Sequence, residues 1–168
     1  MEQKSETIIK ECEREEENCL YTSTTFFFWL SFLRKVRSLF ISIPLLLGGI
    51  ASIQILSESE NGFIKYLIAL SAFLAGVLPS IFSALKIESK IESIDKSASK
   101  YKIMQGKFRR LRTISIHNDT LEEEFNKAIE EIEELKSVSL TAPERYFLKA
   151  QKKIDKGDYN FTVDDKNV

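Results

Sequence analysis

Cysteine and histidine are common activated nucleophiles and metal ligands, and the sequence contains two cysteines and one histidine. Cys12 and Cys19 lie seven positions apart. On a helix they would share one face about 10 Å apart, which is too far for a disulfide within one helix. His117 is the only histidine and has no second ligand at a metal-binding spacing. The thiols are therefore predicted to be helix-core residues, and no metal site is predicted.

Motifs that carry catalysis are missing from the sequence. It contains no phosphate-binding loop, no GxGxxG, no GxSxG and no HExxH. The carboxylates occur in runs, which is typical of solvated helix faces. We therefore expect a protein that is not an enzyme and needs no cofactor. The net charge of −1 gives no indication of nucleic acid as a partner.

Two uncharged apolar segments, 38–57 and 66–85, interrupt this charged chain. Each would form a helix about 30 Å long, which matches the hydrocarbon core of a bilayer. The alternative is a pair of buried core helices in a soluble protein. Charges stand sharply at the edges of both segments, which favours membrane spans. The fold class expected is an all-α membrane protein: a two-transmembrane helical hairpin with long cytoplasmic helices forming a coiled-coil bundle.

The orientation follows from the flanking bases. The segment 58–65 between the spans contains the turn signal Asn61-Gly62, and it is short enough to force an antiparallel hairpin. Lysines and arginines cluster outside the hairpin, before the first span and after the second. By the positive-inside rule, the loop faces outward and both termini are cytoplasmic. These bases are Arg34, Lys35, Arg37, Lys86, Lys90 and Lys96.

Small residues recur along the second span, where they predict a flat face that another helix can approach closely. Pro44 and Pro79 are expected to kink their helices. Gln54 is the one strongly polar side chain inside a span. The flat face could form an oligomeric gate with Gln54 in the pore, or it could pack within one hairpin with Gln54 near the outer interface. The small residues are Ala72, Gly76, Ser80 and Ala84, with Gly48 and Ser52 in the first span.

Four cytoplasmic helices are predicted, over 4–37, 86–116, 120–137 and 141–156, followed by a flexible tail at 158–168. We expect all of residues 1–157 to form one domain. Two capping boxes are predicted, Thr120 with Glu123 and Thr141 with Glu144. Two apolar seams step by four and three residues, which is typical of coiled coils. They are Ile87, Ile91, Ile94, Ala98 and Tyr101, and Leu121, Phe125, Ala128, Ile132 and Leu135.

Charges are sorted by segment. Residues 11–17 are mainly glutamates, and residues 119–134 are strongly acidic. The stretch 100–112 is basic and contains no acid. Three interpretations stay open for its bases: pairing with the acidic N-terminal helix, pairing with an oligomeric neighbour, or binding an anionic ligand. The bases are Lys100, Lys102, Lys107, Arg109, Arg110 and Arg112.

Several short motifs resemble the SLATT domain, the SMODS- and SLOG-associating two-transmembrane effector family. They are the run 17–23 (ENCLYTS), Ile43-Pro44 opening the first span, Gly48-Gly49, and Thr141-Ala142-Pro143 followed by Phe147, Ala150, Lys153 and Ile154. The resemblance covers about residues 4–157. The sequence departs from the family pattern in two places. In the family a histidine often follows the Thr-Ser stretch, and here Thr25-Phe26 occupy that place. A glycine often precedes Ile-Pro, and here the residue is Ser42.

The resemblance implies an effector of a bacterial conflict system that oligomerises and breaches the inner membrane. It also implies a separately encoded trigger: a sensor, a nucleotide synthase or a reverse transcriptase. In a ring of hairpins, Glu58 and Glu60 would form an acidic outer mouth. Two other functions are considered. One is a constitutive ion channel, although 62–65 lacks the acidic motif of the mitochondrial calcium uniporter that the hairpin resembles in outline. The other is a non-conducting scaffold that anchors a cytoplasmic partner.

Overall fold

The computed structural model describes residues 2–55, 62–114 and 120–159. These residues form α-helices and no strand, so the predicted all-α class is confirmed. In chain order the helices are α1 (Glu2–Ile55), α2 (Gly62–Ala84), α3 (Ile87–Ile114), α4 (Leu121–Val138) and α5 (Glu144–Asp155). The predicted loop at 58–65 and tail at 158–168 lie partly outside the described residues.

The chain divides into two compact units. One, which we call the bundle unit, contains Met1–Leu30 and Ser93–Val168, and the other, the hairpin unit, contains Ser31–Glu92. The hairpin unit holds the second half of α1, all of α2 and the start of α3. The bundle unit holds the charged helices and their buried seam.

Helix α1 has no glycine before Gly48 and continues through the position of Pro44. We expected one helix over 4–37 running into a first span at 38–57, and α1 covers this range up to Ile55. Helix α2 begins at Gly62, inside the segment predicted as a loop, because Phe63 and Ile64 extend its apolar sequence. The break between α2 and α3 falls at Lys86, which adopts a left-handed backbone with φ 49°.

The seam of α3 is buried as its periodicity predicts. Ile87 and Ile91 are buried in the hairpin unit, and Ile94 and Ala98 have no exposed surface in the bundle unit. The seam continues through Tyr101, Met104, Phe108 and Leu111, which are also buried. Gly106 does not interrupt the helix.

The α4 seam is also confirmed, although one of its positions is only half-buried. Leu121, Ala128, Ile132 and Leu135 are buried, while Phe125 is intermediate. The 4-3 spacing therefore locates the core-facing sides of both helices correctly.

Both predicted capping boxes are wrong. Thr120 precedes α4 but makes no side-chain capping bond. Glu123, its expected partner, instead accepts a hydrogen bond from Lys127 at 2.7 Å. The residue before α5 is Pro143, not Thr141, because Pro143 is itself extended with ψ 137° and a proline disfavours helical backbone in the residue before it. Helix α5 ends at Asp155, close to the predicted end at 156, and Gly157 follows with φ 80°.

Aromatic contacts connect the helices of the bundle unit. The ring centroids of Phe26 in α1 and Tyr101 in α3 are 5.7 Å apart. Tyr21 lies 6.1 Å from Phe147, and Trp29 lies 6.5 Å from Tyr146. These last contacts place α5 against α1, with Tyr146 and Ala150 as its buried face.

In the hairpin unit, α1 and α2 lie side by side. The rings of Phe40 and Phe82 are 5.5 Å apart, and Arg37 forms an ion pair with Glu88 at 2.9 Å. Phe40 comes well before the end of α1, and Phe82 lies near the end of α2. The two helices therefore run antiparallel in this unit.

Candidate functional site

The hairpin unit presents an apolar surface to its surroundings. Of the side chains described between residues 31 and 86, none is buried. Leu45 and Tyr66 are more than three-quarters exposed. Soluble monomers rarely expose a continuous apolar surface of this kind, which marks a membrane or protein contact. Other exposed large apolar residues are Leu39, Ile41, Leu46, Phe63, Leu70, Phe73, Ile81 and Leu85.

Among the described residues, one helix is long and apolar enough to cross a membrane, and it is α2, Gly62–Ala84. None of its residues is buried in the chain. A core helix of a soluble protein would be mostly buried, so α2 does not have that role within a single chain. The first expected span, 38–57, extends beyond the described residues.

The small-residue face of α2 does not contact α1. Ala72, Gly76, Ser80 and Ala84 are all exposed, and a Cβ added at Gly76 would have no neighbour within 4 Å. The half-buried positions of α2 instead include Ile64, Ile68, Ala75 and Phe82. At 100° per residue these positions fall on a different side of the helix from Gly76. The small face is therefore available to a second helix from outside the unit.

The predicted counterpart in α1 is also open. A Cβ at Gly48 would meet nothing within 4 Å, and Ser52 donates its hydroxyl to the Gly48 carbonyl at 2.9 Å. Pro44 and Pro79 lie inside continuous helices. The Gln54 side chain and the loop residues Glu58 and Glu60 lie outside what the structure describes, so their place in a pore stays a prediction.

In the bundle unit, α1 and α3 bring acidic and basic side chains together. Arg112 Nε lies 3.2 Å from Glu16 Oε2, and Arg112 Nη1 lies 3.6 Å from Glu13 Oε1. Only about a sixth of the Glu16 side chain is exposed. The helices are antiparallel here, since Tyr101 contacts Phe26 at the other end of the pair. Internal pairing, one of the three interpretations of the basic stretch, thus occurs at Arg112.

The other bases of the stretch have different surroundings. Lys107 forms an ion pair with Glu131 of α4 at 2.7 Å. Lys102 donates to Gln105, and Arg110 donates to the Gly106 carbonyl, both within α3. Lys100 and Arg109 are exposed. The basic stretch is therefore distributed around α3 and does not converge on one point.

Two contacts of α1 were not predicted. Lys136 of α4 pairs with Glu15 at 3.1 Å, and the Tyr21 hydroxyl donates to Asp155 at 3.3 Å. Periodicity identifies the buried face of a helix but not the helices that pack against it. The sequence therefore could not predict these two pairs. They connect α1 to α4 and α5.

The two cysteines are buried free thiols. Burial raises the pKa of Cys12 to about 11, against a smaller opposing effect of the Arg112 charge. Burial likewise raises the pKa of Cys19 to about 12. A thiol with so high a pKa is a poor nucleophile at neutral pH, because the thiolate is the reactive form. No cluster of His, Cys, Asp or Glu that could hold a metal ion occurs in the described part of the chain.

An open cleft of about 460 Å³ lies where α1 and α3 meet the connection between α4 and α5. Aromatic rings of Phe26, Tyr101 and Phe147 line one part of it, and Lys136 and Glu144 line another. The cleft is therefore lined by aromatic rings and hydroxyl groups. Its one lysine is already paired with Glu15 and does not form an acid–base pair with Glu144.

Comparison with models of protein families finds no match, and neither curated proteins nor solved structures give a match to this chain.

Proposed function

We propose that this protein is a two-span membrane effector that assembles through its hairpin unit into a pore or lesion in the bacterial inner membrane. The observation that carries the proposal is the exposure of apolar side chains along α2 and between Leu39 and Leu46 of α1. A lipid bilayer would cover this surface, and helical backbone satisfies its own hydrogen bonds there.

The open small-residue face supports assembly. Gly76 and Ser80 of α2 face away from α1 and leave room for another helix to approach. In lipid, close backbone approach at small residues is a main source of helix association. Contact between hairpins along this face would place several α2 helices around a common centre.

The resemblance to the SLATT family supplies the biological context of the proposal. It suggests a role in anti-phage or conflict systems, with a separately encoded sensor, nucleotide synthase or reverse transcriptase as the trigger. The bundle unit would then be the cytoplasmic part that receives the trigger. No enzymatic step is assigned to the chain.

Membrane depolarisation tests the proposal. The chain is expressed in a bacterial host, and membrane potential is followed with a voltage-sensitive dye. The double variant Gly76→Leu with Ser80→Leu fills the small face while keeping the helix apolar. We expect the wild type to depolarise the cells and the double variant to do so at least about tenfold less.

A matched control adds bulk on another face of the same helix. Leu70→Phe with Ile81→Phe changes two exposed apolar residues that lie away from Gly76, and it should depolarise as the wild type does. If the wild type is silent alone, the bundle unit is clustered by a fused, chemically induced dimeriser. Silence after clustering would contradict the pore.

A non-conducting scaffold is the second candidate. The bundle unit, which makes up more than half of the chain, favours it because it presents many charged side chains that a partner could recognise. A scaffold predicts no depolarisation with or without clustering, whereas a constitutive channel predicts depolarisation without any trigger.

A further inference from the structure

We propose that helix α5 of one copy docks into the groove between α3 and α4 of a second copy, so that the bundle units join head to tail. The proposal rests on two surfaces of the bundle unit whose shape and charge are complementary. This contact would add a second interface to the assembly of copies in the proposed function. The inference rests on that function only because the membrane brings the copies together.

The first surface is a groove of about 250 Å³ between α3 and α4. Buried Met104 and Leu135 form its floor, and Ile103 and Val138 form its walls, each with 66% of its surface exposed. Three charged residues also line it: Lys100 of α3, Glu131, which pairs with Lys107 at 2.7 Å, and Glu134. No residue of α5 lines the groove of its own chain.

Acidic residues extend from this groove along α4. Glu123, Glu130 and Glu134 are exposed and occur at positions i, i+7 and i+11. This spacing places them on one side of the helix over about 16 Å. Lys127 lies among them and pairs with Glu123. Glu130 and Glu134 therefore make the groove end of α4 negative.

The second surface is the outer side of α5. Its buried face, Tyr146 and Ala150, packs within the chain. Its exposed side carries bases at positions i, i+4, i+7 and i+11, again over about 16 Å. Leu148 lies beside this stripe with 54% of its surface exposed. The bases are Arg145, Lys149, Lys152 and Lys156, all of them exposed.

The two surfaces are opposite in charge. Glu130 and Glu134 lie beside the groove, the stripe on α5 is basic, and each surface has an exposed apolar side chain. Leu148 would enter the groove between Ile103 and Val138, and Lys152 would then lie near Glu134. Complementary charge fixes the orientation of such a contact, while the apolar insertion supplies its buried centre.

A second copy is the occupant that the observations favour. Both halves of the contact are carried by the same chain, so every copy offers one groove and one helix. Such a contact is heterologous and therefore continues from copy to copy, closing into a ring or extending as a filament. Two spans would hold all copies in one plane, where repeated contacts of this kind can close.

Charge reversal tests the proposal on the full chain in detergent, with particle mass measured by light scattering over a range of concentrations. One variant reverses the helix, Lys149→Glu with Lys152→Glu. Another reverses the groove, Glu130→Lys with Glu134→Lys. Each variant alone places like charges together and should weaken self-association at least about tenfold.

Mixing the two variants gives the decisive result. The reversed helix of one variant then contacts the reversed groove of the other. The native helix of the second variant contacts the native groove of the first, so the charges are complementary at every contact. We expect the mixture to assemble as the wild type does. A control with the same number of reversed bases, Lys10→Glu with Lys102→Glu, changes exposed residues outside both surfaces and should leave the mass unchanged.

The other outcomes overturn the proposal. A wild type that stays monomeric at all concentrations excludes the contact. A mass unchanged by either reversal excludes these surfaces. Loss of assembly that mixing does not restore shows that the two surfaces do not contact each other. Depolarisation is measured separately, so a pore that forms normally in both variants rejects this contact without rejecting the proposed function.

Discussion

Arg112 and Glu16 form an ion pair at 3.2 Å although they lie almost a hundred residues apart in the chain. The pair joins α1 to α3 near the end of the bundle unit. About two-thirds of the Arg112 side chain is buried, and Glu16 is more buried still. Removing the guanidinium would leave a largely desolvated carboxylate without its counter-charge.

We expect Arg112→Glu to lower the free energy of unfolding by about 2 kcal/mol or more, because it also places like charges together. Trp29 is the only tryptophan and lies in the bundle unit, so its fluorescence during thermal unfolding in detergent measures this effect. Arg110→Glu is the control, since Arg110 is exposed and donates to a carbonyl of its own helix. Equal melting temperatures for both variants would contradict the role of the pair.

Among the described residues, Phe108 is the largest side chain with no exposed surface. Phe108→Ala should leave a cavity and cost about 3–5 kcal/mol of stability. Ile103→Ala is a control on the same helix, because Ile103 is mostly exposed and should lose less than about 1 kcal/mol. Urea unfolding followed by Trp29 fluorescence distinguishes them, and a small loss at Phe108 would mean that the α3 seam is not the core.

The cysteines predict a specific pattern of labelling. Their pKa values of about 11 and 12 imply that thiolate is scarce at pH 8. Both thiols should react with a maleimide at least about a hundred times more slowly than a cysteine introduced at exposed Ser99. Denaturant should remove the difference. Fast labelling of the folded wild type would show that the α1 face carrying the thiols is open.

The same raised pKa values predict a loss of stability at high pH. Below the ordinary thiol pKa of 9.0 both thiols are protonated in the folded and the unfolded chain. Their full contribution to the free energy of unfolding is therefore present at these pH values. Above that pH the unfolded chain ionises first, so stability falls as pH rises from about 9 through the folded pKa values of about 11 and 12. Cys12→Ala with Cys19→Ala should reduce this slope, and an unchanged slope would contradict the assignment.

The sequence predicts the helices well because their signals are local. The 4-3 spacing from Ile94 to Tyr101 places each side chain on the buried face that the structure shows. Gly157 marks the end of α5 because its positive φ is easily adopted by glycine. The capping boxes failed because Lys127 competes for Glu123 and because Pro143 holds Thr141 outside α5.

Contacts between helices depend on information that the local pattern does not contain. Periodicity locates the buried faces of α3 and α4, but it does not show that Trp29 of α1 lies against Tyr146 of α5. The groove between α3 and α4 arises from Ile103 and Val138, which are distant in sequence and stand outside the regular seams. The spacing of small residues in the sequence predicts the stripe on α2. Only the structure shows that this stripe faces away from α1.

Membrane topology gives the last prediction. Bases flank the hairpin at Arg34, Lys35 and Arg37 on one side and at Lys86 and Lys90 on the other. The proposed topology has both termini in the cytoplasm, so a green fluorescent protein fused after Val168 should fluoresce, because it folds there. Alkaline phosphatase inserted between Asn61 and Gly62 should be active, because it needs the periplasm.

A matched variant reverses the charge bias. Replacing Arg34, Lys35 and Arg37 by glutamine removes the bases before the first span while keeping hydrogen-bonding side chains, and it should lower phosphatase activity at the loop severalfold as part of the chain inverts. The same three-residue change made at Lys149, Lys152 and Lys156 lies far along the chain from either span and should leave the topology unchanged. Phosphatase that is inactive in the loop of the wild type, together with bright fluorescence at the C-terminus, would mean that α2 does not cross the membrane. The exposed apolar surface of the hairpin unit would then have to be covered by protein.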